Sequence, residues 1–331
     1  MKTAYEFAKE NLMKLEPSMS YRGGDVKVWQ KEAKAKLKEL LGFDKLKKCD
    51  PELDIEYETK IDGATEIRFT FQSEEGYRVP CHLLLPDGVE NPPVMIMLQG
   101  HTSGMHLSLG RPKGEKEAEH MKLYNRDFCV RAIKEGFATV ALELRSRGEC
   151  LGPENRCFES AMTALLCGRT LACERAWDVM RLIDLLETVF ADRIDPKCIC
   201  LMGHSGGGCV AAFTAALEDR LALAIASGFV CSVKHSLGVY YHCACQYVPH
   251  FAEYFDEGDL IAMAAPTPYV QSSGREDPDF RIEGSIMAHE QGKKAYEALG
   301  AEDKLEHVIG DGGHQFYPDL AWPVVHKFLG R

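Results

Sequence analysis

Serine is a weak nucleophile at neutral pH and becomes reactive only where a base takes its proton and a carboxylate holds that base. The segment Gly203-His204-Ser205-Gly206-Gly207 fits G-x-S-x-G between an apolar strand ending at Met202 and a helix-like run from Gly208 to Leu217. So tight a turn strains the backbone at the serine, and the chain tolerates it only if the flanking residues lack Cβ atoms, as Gly203 and Gly207 do. The hydroxyl then stands clear of the sheet above the N-terminus of the next helix, whose dipole and free N–H groups favour a developing oxyanion. Ser205 is therefore the candidate nucleophile. The run Gly206 to Ala211 also matches the dinucleotide pattern G-x-G-x-x-A, but that reading needs a carboxylate after the next strand, and Leu221 to Ala226 is followed by Ser227-Gly228.

The base and the acid should follow the serine in the chain, acid before histidine. His314 lies in the loop Asp311-Gly312-Gly313-His314-Gln315-Phe316 just after the last strand, whereas His307 falls inside that strand and His326 in the final helix. The acid belongs in Gly274 to Phe280. Asp277 is favoured because Pro278 fixes a turn after it, with Glu276 and Asp279 as competitors. An oxyanion hole needs two backbone donors, for which Gly206 and His101, in the loop Gln99 to Gly104, are the candidates. His204, Tyr241 and Tyr247 are candidates for substrate contact, the two tyrosines from the aromatic stretch Tyr240 to Tyr247, which reads equally as an acyl pocket or as interior packing. Arg145 and Arg147 are expected to pair with Glu143 or Glu149, with binding of a substrate carboxylate as the alternative.

Thirteen cysteines scattered among apolar stretches read as reduced thiols. The pairs Cys198/Cys200 and Cys243/Cys245 are the two to weigh as metal ligands. Zinc sites favour two to four residues between paired cysteines, so both pairs read as core thiols, and no metal or cofactor is expected.

The elements that position these residues follow from periodicity. Lys- and Glu-rich residues 1–50 carry apolar positions at helical spacing and predict two amphipathic helices. From Ala64 the period becomes two, and a second strand at Tyr77 to Leu85 completes an antiparallel hairpin. Val94–Leu98, Ala138–Leu142, Cys198–Met202 and Leu221–Ala226 are short, continuously apolar runs, the mark of parallel strands buried on both faces. Leu171 to Phe190 is the clearest amphipathic helix. The later alternation of strand and helix gives a doubly wound α/β sheet. The economical division is a helical extension over 1–50 and one catalytic domain over 51–331, with an insertion at about 231–266.

With 45% hydrophobic and 27% charged residues over 331 positions, the chain is not disordered, collagen-like or coiled-coil. A formal net charge of −11 with no long basic run excludes a nucleic-acid partner. The N-terminus carries charge and lacks an apolar core segment, and no apolar run reaches the ~18 residues of a membrane span, so a cytoplasmic protein without membrane partners is expected. Self-association is left open.

Through Leu98-Gln99-Gly100-His101, Arg147-Gly148-Glu149, Trp177-Asp178, Gly203 to Gly207, Asp277-Pro278 and Gly312-Gly313-His314, residues 50–331 resemble α/β-hydrolases of the dienelactone hydrolase and acetyl xylan esterase group. The resemblance implies a mostly parallel eight-stranded sheet with an antiparallel second strand, an insertion between the sixth and seventh strands, and ester hydrolysis through an acyl-enzyme on a Ser205, His314, Asp277 triad. The substrates it suggests are acetyl esters of sugars or small aryl esters. Dienelactone hydrolases proper have cysteine where this chain has Ser205, which points to esterase chemistry. Glucuronoyl esterases carry arginine after the serine, and Gly206 sets the chain apart from them. Peptidase or thioesterase chemistry on the same fold, and a non-catalytic hydrolase-like binding protein, are the alternatives.

Overall fold

The computed structural model describes residues 1–152 and 156–331. Nine strands form one sheet: β1 (Asp54–Ile61), β2 (Ala64–Glu74), β3 (Tyr77–Pro86), β4 (Val94–Leu98), β5 (Ala138–Leu142), β6 (Ile199–His204), β7 (Leu223–Ser227), β8 (Tyr269–Gly274) and β9 (Leu305–Gly310). Their order is β1-β2-β3-β5-β4-β6-β7-β8-β9. The first three strands pair antiparallel and β3 meets β5 antiparallel, while every pair from β5 to β9 is parallel. The expected count of eight is corrected by β1. Its charged sequence is exposed along almost its whole length, so no alternation of buried and open positions betrays it. Such charge suits an edge strand, because it discourages pairing with another chain. The segment 231–266, expected as an insertion, accordingly lies between β7 and β8.

β4, β5, β6 and β7 are buried at every position, since helices cover both faces of the sheet. Helices Leu171–Thr188 and Gly206–Leu217 supply one hydrophobic layer, and Phe128–Lys134 and Pro318–Leu329 the other. Of the two N-terminal helices, Ala4–Lys14 buries no residue, whereas Val26–Leu41 sinks Ala33, Leu37 and Leu41 into the main core. Its buried Gln30 donates to the carbonyls of Ala262 and Ala265 in that segment.

Arg145, after β5, does not pair with Glu143 or Glu149. It bonds Asp178 on helix Leu171–Thr188 at 2.7 and 2.8 Å and lies 2.9 Å from Glu74 and 3.4 Å from Glu174. Asp178 also accepts from Ser73 at 2.6 Å, and Trp177 donates to the Ser73 carbonyl. This buried network ties the helix to the end of β2. Glu149 pairs instead with Arg68 at 2.5 Å. Among the described residues, no helix is long and apolar enough to cross a membrane.

Candidate active site

The turn between β6 and helix Gly206–Leu217 holds Ser205 at φ 57°, ψ −119°, a left-handed conformation that costs a non-glycine residue about 1–3 kcal/mol. Three backbone contacts make the turn this tight. A Cβ on Gly203 would lie 2.0 Å from the Gly207 carbonyl, one on Gly207 2.3 Å from that of Leu98, and one on Gly208 2.5 Å from that of Ser227. The Ser205 N–H donates to the Ser227 carbonyl at 2.8 Å, which pins the turn to β7. The serine is 8% exposed.

His314 Nδ1 lies 2.7 Å from Asp277 Oδ2. The other oxygen of Asp277 accepts the N–H groups of Asp279 and Phe280 at 2.9 and 3.0 Å, so the Pro278 turn folds back on the carboxylate and fixes its direction. Asp277 is 2% exposed, whereas Glu276 points into solvent and Asp279 is half-buried. Phe280 stacks on the His314 ring at 5.7 Å and 24°. From below, His204 packs on the same ring at 4.8 Å. Among the described residues no hydrogen bond joins Ser205 to His314, and in substrate-free sites such contacts are often long until substrate binds.

The loop after β4 runs against the serine turn, since a Cβ on Gly100 would come within 2.7 Å of Ser205 Cβ and of the His204 carbonyl. The backbone of His101 therefore follows directly beside Gly206. Buried Glu143 braces the loop by accepting the Met105 N–H at 3.1 Å. Burial pushes its carboxyl up to about 7, against an ordinary 4.5.

Ser205, His314 and His101 open onto one cleft of about 580 Å³, together with Tyr241, Arg126 and Arg147. Tyr241, 90% exposed, stands at its rim. Two expected substrate contacts lie elsewhere. His204 is fully buried beneath His314, bonds Ser227 Oγ at 2.9 Å and is held neutral by burial, so it supports the imidazole and does not face the cleft. Tyr247 turns its hydroxyl to the Leu237 carbonyl at 3.0 Å and lines a separate apolar cavity.

A family model described as "Glucuronyl esterase, fungi" matches residues 165–231, the stretch that carries β6 and the Ser205 turn. The chain is 24% identical over 249 residues to "Putative hydrolase YtaP" of Bacillus subtilis (strain 168), a match covering 72% of this chain and 78% of that protein. A solved structure described as a "putative acetyl xylan esterase" from Bacteroides fragilis NCTC 9343 superposes with a TM-score of 0.79 over 94% of this chain and 83% of that one, at 16% identity. The chain has the α/β-hydrolase fold. A solved glucuronoyl esterase from Solibacter usitatus, also 16% identical, shares this hydrolase fold with a TM-score of 0.70 over 96% of this chain and 98% of its own. The expectation that Gly206 sets the chain apart from glucuronoyl esterases therefore does not extend to the architecture.

Several residues of the cleft gave no sign in the sequence. Arg126 is buried and lines the cleft with its Nε and Nη1 unpartnered among the described residues, and burial lowers its guanidinium to about 10. Cys157, at the start of helix Cys157–Leu166, and His242 and Phe280, in two loops, meet only through the fold. The Cys243/Cys245 pair also departs from expectation. It sits at the start of a 3-10 turn, Ala244–Gln246, not on a strand, and both thiols turn toward Cys157 and His101.

Proposed function

We propose that the protein hydrolyses carboxylic esters of sugars through an acyl-enzyme on Ser205. The observation that carries this reading is the pairing of His314 with the buried Asp277 carboxylate at the edge of a cleft that also opens onto the strained Ser205. In this mechanism Asp277 holds the imidazole with Nδ1–H directed at it, leaving Nε2 to take the Ser205 proton. The alkoxide attacks the ester carbonyl, and the Gly206 and His101 amides receive the oxyanion. The imidazolium returns its proton to the departing alcohol, and a water activated by the same Nε2 then releases the acid.

Two features support a sugar ester. The glucuronyl esterase model aligns with the serine segment, and the esterases of like fold are described by their action on xylan-linked or uronic-acid groups. Arg126 and Arg147 line the cleft with donors suited to an oxygen-rich ligand. The test is a parallel assay on acetylated xylo-oligosaccharides, methyl glucuronate and p-nitrophenyl acetate, with Ser205→Ala as control. Turnover of either sugar ester, lost in the variant, supports the proposal. Turnover of the aryl ester with neither sugar ester hydrolysed would overturn the substrate class, and activity surviving Ser205→Ala would overturn the mechanism.

A further inference from the structure

Three segments far apart in the chain bring His101, Cys157, Cys243 and Cys245 to one point at the side of the cleft. Each offers one ligand atom, and the four atoms lie within 4.8 Å of one another. His101 Nε2 and Cys245 Sγ are 3.3 Å apart. In a tetrahedral site with Zn–S of about 2.3 Å and Zn–N of about 2.0 Å, neighbouring ligand atoms are roughly 3.5–3.8 Å apart, so side-chain shifts of about 1 Å or less close this shell. Cys157 and Cys245 are buried and Cys243 half-buried.

A second observation concerns charge. Arg175, on helix Leu171–Thr188, is 2% exposed. Its donors go to the Arg145 carbonyl at 2.6 and 3.1 Å and to Cys157 Sγ at 3.2 Å, and among the described residues no carboxylate lies within ion-pairing distance of it. A buried guanidinium without a counter-charge is costly. A zinc ion held by three thiolates and one neutral imidazole carries a net charge of −1, which is what Arg175 lacks.

We propose that His101, Cys157, Cys243 and Cys245 bind one zinc ion. Three sulfurs and one imidazole select zinc over the oxygen-seeking divalent cations. Four protein ligands leave no open position, so the ion is structural and not a Lewis acid for the ester. Binding forms three Zn–S bonds and one Zn–N bond, with no change of oxidation state, and the thiols release to solvent the protons they hold. The ion clips the insertion, through Cys243 and Cys245, and the first turn of helix Cys157–Leu166 to the loop that carries the His101 amide.

The test uses the full chain, purified under reducing conditions and incubated with zinc chloride. Elemental analysis is expected to find one zinc per chain, falling at least about fivefold in Cys157→Ser, Cys243→Ser and Cys245→Ser and unchanged in Cys167→Ser, whose thiol is exposed elsewhere. Zinc is expected to shield Cys157, Cys243 and Cys245 from alkylation in the unaltered chain. That readout, with the thiolate-to-cobalt absorption of the cobalt-loaded protein, decides the matter even if the variants fail to fold. Folded protein that takes up neither zinc nor cobalt, full zinc content in the three variants, or a Cys157–Cys243 disulfide formed in place of metal binding would overturn the proposal. Ser205→Ala is expected to keep its zinc, so failure of the esterase reading and failure of this one are distinguishable.

Discussion

In the proposed mechanism Ser205, Asp277 and His314 divide one reaction among three side chains, and each makes a separable prediction. On that mechanism Ser205→Ala removes the atom that would carry the acyl group, so kcat on p-nitrophenyl acetate is expected to fall by about 10⁴-fold or more with the circular dichroism spectrum unchanged. Asp277→Asn keeps the shape but no longer fixes the imidazole tautomer, and a loss on the order of 10³–10⁴-fold in kcat, with KM little altered, is the expected outcome. The sequence points to these residues because each sits where chain order and loop chemistry leave few candidates, and the structure brings Asp277 and His314 together. The choice of Asp277 over Glu276 and Asp279 rests on Pro278, and in the structure the turn at Pro278 lets the carboxylate accept two backbone N–H groups while it reaches His314. His204 and Tyr247 were misread because an imidazole beside the serine or a tyrosine in an aromatic run carries no mark of which way it faces.

At the scale of elements, the geometry depends on loops that meet in space. Gly228, directly after β7, has φ 57°, and a Cβ there would come within 3.0 Å of both His204 and His314. Gly228→Ala should therefore displace the imidazole and lower kcat by about 10–100-fold, since an error near 1 Å in a catalytic group costs that much, while a melting curve shows the fold intact. The loop after β4 makes a different prediction through Glu143. Its carboxyl stays protonated in the native state up to about 7, whereas in the unfolded chain it ionises near 4.5. Stability is then fully present below pH 4.5 and declines as pH rises toward 7, because over that window the unfolded chain has already given up the proton that the folded chain still binds. Urea titrations of Glu143→Gln at several pH values should show this decline flattened, by at most about 3 kcal/mol between the two ends. Apolar runs made β4 to β7 legible. β1 was not, because an exposed edge strand of charged residues buries nothing, and the turn at Ala244–Gln246 was not, because its convergence with Cys157 is a tertiary event.

Across the whole molecule, the sheet holds Ser205, Asp277 and His314 at the carboxyl ends of β6, β8 and β9, where parallel order leaves a crevice for loops. Helix Leu171–Thr188 is anchored to that sheet by the buried Arg145–Asp178 pair. Asp178→Ala leaves the guanidinium with Glu74 and the more distant Glu174, and a loss of about 3 kcal/mol in unfolding free energy by urea titration is expected; a loss under about 1 kcal/mol would contradict the anchoring role. The most direct test of the account as a whole is intact-protein and peptide mass spectrometry after treatment with a fluorophosphonate, which reports only a serine made nucleophilic by its surroundings. The account predicts one adduct per chain, on Ser205, abolished in Ser205→Ala and strongly slowed in His314→Ala. Folded, ester-cleaving protein that carries no adduct, or carries it on another residue, would contradict it.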